Sequence, residues 1–528
     1  MISTISEDAT LGKRRVEEEE QMVEDRPVKQ SLKTIRLAKQ TEEVKELIKI
    51  YKVVDGVAPV DEFVNNRNKF KVCQMFGKTY SKVLNQSDLI DNKNKFYILQ
   101  MLENVESQEV FVYFRWGRIG VKGSDSLIPF GRNLGAAIAE FEAKYNDKAV
   151  EGNYEEVQIM FDDEVSVEEQ ERELIESIKS SNIGKGVAKL MKDIFCLRMF
   201  DSQIKEIGYD VKKMPLGKLA PTNIKMGYNI LKALLKEIDS KNKDWKNKVE
   251  TMGSKFYSFI PHNVGFKNMA TLVLDTKEKV ESKLELIEML SNMKIAKGLI
   301  DKDQTGLNKI DDLYTGLRNK IKLIEQESDE FSLVNKYLQS TLVPHDINLK
   351  VELMDLFEVE REGEEDKFRK EIGNRKLLWH GSRMSNFAGI LSQGLKIAPA
   401  EAPITGYKFG KGVYFTDMSG KAIKYCHSDK SDGIGLLLLS DVALGNQNCL
   451  TNQDINASSL PEGKNSTFGR GTFGPLENHA IDSGMGYRIP LGPCAKTDAS
   501  NSSLDHNEYV VYNTNQIKMK YLLKCRFI

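Results

Sequence analysis

For its 528 residues the sequence holds little cysteine, histidine or tryptophan: six, six and three. The cysteines (Cys73, Cys196, Cys426, Cys449, Cys494, Cys525) are scattered, with no CxxC pair and no histidines at finger spacing. This pattern argues against zinc and against a disulfide framework, and a reducing compartment is expected. Walker A, HExxH and carboxylates at metal-ligand spacing are missing too, which argues against a metal enzyme. Net charge is only −1, so nothing global announces nucleic acid. No apolar run approaches the ~18 residues of a membrane span, and the start is polar, so neither a membrane segment nor a secretory signal is expected. The sequons at Asn456, Asn465 and Asn501 then have no glycosylation meaning.

What is present is a globular composition, 40% hydrophobic and 29% charged, on a chain long enough for three or four domains. Residues 1–55 read as a disordered tail, polar and of mixed charge. Its cluster Lys13-Arg14-Arg15 fits either part of a nuclear import signal or a solvated tail. Residues 56–160 read as a small β domain with one packed helix: Phe96–Leu102 and Val110–Trp116 are rich in β-branched and aromatic residues, and Asn133–Phe141 has helical spacing. From Asn65 to Lys148 there are 13 Lys/Arg against 9 Asp/Glu, a local basic excess suited to phosphate contacts. Trp116-Gly117-Arg118 at a strand end offers an aromatic face and a guanidinium for nucleic acid, or a core Trp beside a surface Arg.

Between Glu151 and Glu176 lie 11 acidic residues and one basic, so residues 161–182 are expected to be an acidic linker, with a helix start as the other reading. Residues 183–330 are expected to form an all-helical bundle. Apolar stripes recur at Val187/Leu190/Met191/Ile194/Phe195, at Ile230/Leu231/Leu234/Leu235/Ile238 and at Ile310/Leu313/Leu317/Ile321/Ile324. Residues 331–528 return to strand patterns at Ile347–Val359, Leu436–Leu439, Tyr509–Tyr512 and Tyr521–Phe527, giving an α+β domain dominated by strands. Gly469-Arg-Gly-Thr-Phe-Gly474 matches GxGxxG, but the expected lack of a preceding strand and following helix marks it as a decoy.

Chemistry concentrates between Leu377 and Cys426, where a Trp-His-Gly-Ser turn, a Pro/Gly-rich loop and three tyrosines (Tyr407, Tyr414, Tyr425) fall within fifty residues. Glycines admit close backbone approach, and tyrosines supply flat faces with a polar tip. On residue type alone, His380 fits a structural or a catalytic role. Glu508 fits a surface position, or a carboxylate desolvated at a strand start that needs a partner.

The segments LLWHGSRMSNFAGILSQGLKIAP, GYKFGKGVYFTDM and NEYVVYN closely resemble the catalytic domain of the DNA-dependent poly(ADP-ribose) polymerases. Met214–Leu219 and Phe256–His262 resemble that family's helical regulatory domain, and Phe111–Gly123 its WGR domain, in the same order. The resemblance is greatest to the shorter members, which lack zinc fingers. It implies a multidomain α+β protein: a small β-rich WGR-like domain, an all-helical regulatory bundle and a mixed, mainly antiparallel ADP-ribosyltransferase domain.

It further implies transfer of ADP-ribose from NAD+, used as substrate without a metal, through a transition state with oxocarbenium character. His380 would orient the dinucleotide through ribose hydroxyls, and Gly381 would present backbone groups to the nicotinamide amide. Tyr414 and Tyr425 would sandwich the nicotinamide ring. Glu508 would bond the ribose 2′-hydroxyl and stabilise the developing cation. Ser382, Asn386, Lys396, Tyr407 and Lys421 would complete the NAD site. Trp116, Arg118 and Lys122 would bind broken or nicked DNA, and the bundle would cover the cleft until DNA loosens it, with Glu285 and Glu288 facing the cleft.

The implied protein is a nuclear DNA-damage-response enzyme, monomeric off DNA, that builds poly(ADP-ribose) on itself and other proteins. The alternatives are a mono-ADP-ribosyltransferase of the same architecture and a catalytically inert DNA-end scaffold. Three departures from the family pattern stand out: Ala422 where Ser is usual, Lys396 where Arg is common, and His506 where Tyr is frequent.

Overall fold

The computed structural model describes residues 58–75, 77–160, 167–200, 218–241, 243–265, 267–300, 308–342, 350–397, 408–428, 431 and 433–528. The tail and Tyr407 lie outside them, as do Met214–Gly217 of the first regulatory-domain motif.

The first module is a six-stranded antiparallel sheet. Its strands β1 (Ser81–Asp88), β2 (Lys93–Asn104), β3 (Val110–Arg118), β4 (Ser124–Pro129) and β5 (Glu155–Val157) run in the order β4-β3-β2-β1-β5, and Phe70–Val72 pairs with β2. Helix α1 (Leu134–Asn146) starts where the Asn133 side chain accepts from the Ala136 amide, satisfying one of the orphan amides of the first turn. Strand β2 is buried on both faces. Tyr97, Leu99 and Met101 pack with Ala137 and Phe141 of α1, whereas Phe96 and Ile98 join the helical core that follows. A strand alternates its side chains between faces, so burial of both accounts for its nearly unbroken apolar run.

The second module is helical: α2 (Val167–Ser180), α3 (Lys185–Phe195), α4 (Pro221–Ser240), α5 (Trp245–Phe259), α6 (Lys277–Ile300) and α7 (Lys309–Gly316). The stripes read from sequence are its core: Val187, Leu190, Met191, Ile194 and Phe195 are all buried, as are Leu231, Leu234, Leu235 and Ile238. Two expectations change. The segment expected to be a linker is helical from Val167 and packs into the bundle, with Leu174 buried and Gln170 donating to the Phe195 carbonyl at 3.0 Å. Its charges are simply the solvent face of an amphipathic helix.

The stripe from Ile310 to Ile324 is not one helix either. Helix α7 ends near Gly316, Arg318 turns with φ 49°, and Asn319–Ile324 becomes strand β6. Leu317, Ile321 and Ile324 fit a helical period, but Asn319 and Ile321 are buried and alternate with exposed lysines at period two. Pairing to the next module decides the outcome.

That module is built on a seven-stranded sheet. Its elements are β6, α8 (Asp329–Ser340), β7 (Val351–Arg361), β8 (Arg375–Ser382), α9 (Phe387–Gln393), β9 (Val413–Phe415), α10 (Ser419–Ile423), β10 (Ile434–Ala443), β11 (Gln447–Leu450), β12 (Ser466–Gly469), β13 (Ile481–Asp482), β14 (Arg488–Ile489), β15 (Glu508–Val511) and β16 (Ile517–Phe527). The large sheet runs β6-β7-β16-β10-β8-β14-β13 and a four-stranded sheet runs β9-β15-β12-β11. Leu436–Leu439 lie on β10, between β8 and β16, and all four are fully buried. The whole is a multidomain α+β protein in which antiparallel pairing dominates.

Candidate active site

The two catalytic sheets join where β8 meets the end of β9. Trp379 and Thr416 exchange backbone hydrogen bonds of 2.8 and 3.0 Å. Alternation along β8 then sends neighbouring side chains opposite ways. Trp379 is fully buried against Tyr337, ring centroids 4.7 Å apart, whereas His380 is half-buried and its Nδ1–H donates to the Tyr414 carbonyl at 3.0 Å. Desolvation holds the His380 pKa below its usual value, opposed by that hydrogen bond. A neutral imidazole with Nδ1 protonated leaves Nε2 as an acceptor.

Gly381 is required sterically. A Cβ there would lie 1.8 Å from the Ala422 carbonyl oxygen, so only glycine lets β8 and α10 approach this closely. The Tyr414 phenol donates to the Gly410 carbonyl (2.7 Å) and accepts from the Phe409 amide (2.9 Å), clamping a turn whose Gly410 has φ 72°. Tyr425 is 56% exposed, and its phenol pKa is raised by desolvation and by Glu508.

Glu508 opens β15, which pairs Tyr414 with Val510 and so brings the carboxylate into register with β9. It is buried, at 5% exposure, and forms an ion pair with Lys421 on α10. Desolvation lowers the Lys421 pKa, and Glu508 opposes the shift. A second ammonium, Lys408, stands 3.5 Å from the same Oε1. The surface-glutamate reading is therefore excluded: this is a buried carboxylate held by two cations.

Asn507 carries much of the support behind Glu508. Its carbonyl accepts from the Thr416 hydroxyl (2.9 Å), its Oδ1 accepts from the Gly471 amide (2.9 Å), and its Nδ2 donates to Asp417 (2.9 Å). Asp417 also accepts from the Tyr509 hydroxyl, and burial raises its pKa. The GxGxxG segment finds its explanation here. Strand β12 does precede it, contrary to expectation, but the strand Phe473–Pro475 follows where a cofactor fold needs a helix. A Cβ at Gly471 would lie 2.2 Å from the His506 backbone and one at Gly474 2.5 Å from Asn507. The glycines thus let this loop lie against the strand that delivers Glu508.

The bundle reaches the same cleft. Ser382 accepts from Asn386 Nδ2 (2.9 Å), and Asn386 Oδ1 accepts from Asn292 on α6 (2.7 Å). One helical face carries Glu285, Glu288 and Asn292. Glu285 pairs with Arg383 at 3.2 Å, and the Glu288 carboxyl is pushed up by desolvation and by Glu285 while Arg383 pulls it down. Lys396, by contrast, is exposed and bonds Gln393. Sequence reasoning missed Lys408, Asn507, Asp417, Asn292 and Arg383. Arg383, Lys408, Asp417 and Asn507 lie within the segments that carry the resemblance, which could have pointed to them, whereas Asn292 acts only through a contact between separate elements and has no local signal.

In the β-rich module Trp116 is 39% exposed and stacks on Tyr97, centroids 5.9 Å apart and planes 15° from parallel. The core-Trp reading does not hold. Arg118, expected at phosphate, is committed elsewhere: it donates to the carbonyls of Gly265 (2.7 Å), Lys267 (3.0 Å) and Asn92 (3.1 Å). It thereby ties β3 to the loop after α5. Lys122 is exposed, its ammonium 5.2 Å from the Phe63 ring centroid. Among the described residues no group of three or more His, Cys, Asp or Glu is placed to hold a metal ion, and no helix is long and apolar enough to cross a membrane.

A strand position that only glycine allows, a half-buried histidine and a buried carboxylate paired with lysine suit a dinucleotide substrate, and the family models agree. Residues 328–527 match the poly(ADP-ribose) polymerase catalytic domain, 181–314 its regulatory domain and 80–159 the WGR domain. The fold and site thus define an NAD+ ADP-ribosyltransferase. Among curated relatives, poly(ADP-ribose) polymerase 2 of Homo sapiens is 38% identical over 509 residues, covering 92% of this chain and 85% of the relative. The Zea mays polymerase 2 is 36% identical over 506 residues (92% and 76%), and the Danio rerio polymerase 1 is 34% identical over 493 (90% and 48%). The chain belongs to the poly(ADP-ribose) polymerase family.

Proposed function

We propose that this enzyme is activated by DNA breaks and builds poly(ADP-ribose) on itself and on neighbouring proteins in the nucleus. The observation that carries this reading is the pair of contacts from α6 into the cleft, Asn292 to Asn386 and Glu285 to Arg383. They give the bundle a direct hold on residues expected to bind NAD+. The bundle in turn is held to the β-rich module through Arg118, so a ligand on the Trp116 face has a physical route to the cleft. DNA need only bind the loosened bundle more tightly than the closed one.

At the site, His380 and Gly381 orient the substrate's ribose and amide, and Tyr414 with Tyr425 flanks the nicotinamide ring. Glu508 accepts the ribose 2′-hydroxyl and stabilises positive charge as the bond to nicotinamide breaks, a role in which one residue supplies a factor of ~10²–10³. Lys421 keeps the carboxylate oriented. Incubation with labelled NAD+, with and without nicked DNA, followed by sizing of the products tests the reading. A DNA-dependent ladder is expected. Transfer that ignores DNA would sink the activation claim, and single units would favour the mono-transferase reading that His506 and Ala422 suggest.

A further inference from the structure

Glu508 is contacted by two lysines that differ in setting. Lys421 is 15% exposed and sits beneath the carboxylate on α10, whereas Lys408 is 48% exposed. Both ammonium groups fall on the same oxygen, Oε1. The Lys408 backbone is fixed: its carbonyl accepts from the Asp454 amide at 2.9 Å, and the next residue, Phe409, is fully buried with its amide on Tyr414. What remains adjustable is a long side chain that ends in solvent, on the open side of an otherwise buried carboxylate. An acceptor that approaches Oε1 beside Lys408 meets this ammonium.

We propose that Lys408 is a specificity-determining residue that favours anionic acceptors over water at Glu508. The inference rests on Glu508 being the catalytic carboxylate. In the transfer, the C1′–N bond breaks with its electron pair leaving on nicotinamide, and the acceptor oxygen bonds to C1′. The acceptor's proton passes to the Glu508 carboxylate and then to solvent. Water in the acceptor's place balances identically and releases free ADP-ribose.

While Lys408 holds Oε1, that oxygen is engaged on the side from which the ammonium reaches it. Water offers the ammonium a neutral hydrogen-bond acceptor but no countercharge. An acceptor with a carboxylate or phosphate near its nucleophilic oxygen offers a countercharge, so Lys408 moves onto that anion and leaves Oε1 to Lys421 alone as the acceptor arrives. Ion pairs this exposed are weak, so the discrimination should be modest, about threefold. That suffices to alter the product mixture without making the enzyme depend on one lysine.

The test compares the full chain with K408Q, K408R and E508Q, using labelled NAD+ and nicked DNA. The readout is free ADP-ribose as a share of all ADP-ribose produced, with thermal unfolding recorded for each variant. K408Q, which removes the charge at similar length, should raise the free share about threefold, and K408R should restore the wild-type share. An unchanged share in K408Q overturns the inference. So does an equal rise in K408R, which would mark a packing effect rather than charge. If E508Q turns over NAD+ like wild type, the reading of Glu508 itself is wrong. If E508Q is inert and the K408Q share does not move, only Lys408 is refuted. Comparing acceptor peptides that carry carboxylates with chains already bearing ADP-ribose tells which anion Lys408 meets.

Discussion

Asn292 of the helical bundle donates its side-chain amide to Asn386 of the catalytic domain at 2.7 Å, although the two lie 94 residues apart in sequence. The neighbouring Glu285–Arg383 pair has a 56% exposed carboxylate, and such pairs contribute about 0–1 kcal/mol. The partly buried amide contact is therefore the stronger tie.

Removing it should loosen the bundle over the cleft. N292A is expected to raise DNA-independent turnover about fivefold or more, within the usual range of coupling energies, and E285A by less. Turnover of labelled NAD+ without DNA measures both. Equal or greater activation by E285A would show that charge, not the amide contact, holds the bundle closed.

A deletion makes the same point with a sharper boundary. Removing residues 183–316 should give a folded enzyme that no longer needs DNA. Extending the deletion to 330 also removes β6, an edge strand of the catalytic sheet with six paired residues, and the Ser328 cap of α8. That longer deletion should unfold or aggregate, as seen by circular dichroism and size exclusion. A well-folded, fully active longer deletion would contradict the placement of β6 in the catalytic core.

Arg118 should separate binding from activation. R118A loses two charge-assisted bonds to the bundle loop but leaves the Trp116–Tyr97 stack untouched. Stimulation by nicked DNA should fall about tenfold, with a smaller change in DNA affinity by fluorescence anisotropy. Loss of both in equal proportion would return Arg118 to a simple DNA-contact role.

These contacts show where the sequence was legible. Periodicity located α3, α4 and α7, where burial follows one helical repeat, and runs of apolar, β-branched and aromatic residues located β2, β3 and β10. It failed at Ile321 and Ile324, where positions 317, 321 and 324 satisfy a helical period while the local alternation is that of a strand; only β7 decides between them. At 167–180 charge density left a solvated linker and a helix start both open, and the burial of Leu174 decides for the helix. The site motifs were readable because His380, Gly381 and Tyr414 fall in compact, glycine-bearing stretches, although all three lie on strands β8 and β9 rather than in the turn expected for Trp379–Ser382. Arg118 and Asn507 act through backbone groups of distant segments, which leave no trace in local composition.

Ala422 offers a test of the nicotinamide pocket. It is 2% exposed, and its carbonyl presses against Gly381. A422S would add a hydroxyl beside the proposed amide position and should tighten nicotinamide binding by about 1 kcal/mol, roughly fivefold in Kd by calorimetry. The same hydroxyl, lacking a ligand, should slightly lower the melting temperature. Unchanged affinity would move the amide away from Ala422.

His262 predicts how stability depends on pH. The ring is buried at the junction of α5, α6 and the β-rich module: Nδ1–H donates to the Ile260 carbonyl (2.7 Å), Nε2 accepts from Lys283 (2.9 Å), and its own carbonyl accepts from Asn94. Both ring contacts require the neutral form. Desolvation and the Lys283 charge accordingly hold the pKa well below 6.5. The unfolded chain then binds a proton that the folded one refuses. The stabilisation is fully present above about pH 6.5 and is lost as pH falls below it. Between pH 7.5 and 5.5 the wild-type melting temperature should drop more steeply than that of H262Q, which keeps a neutral polar side chain but cannot titrate. Parallel slopes would mean that other groups, carboxylates foremost, carry the acid sensitivity. A steeper wild-type slope would locate it at the joint between the β-rich module and the helix that reaches the cleft.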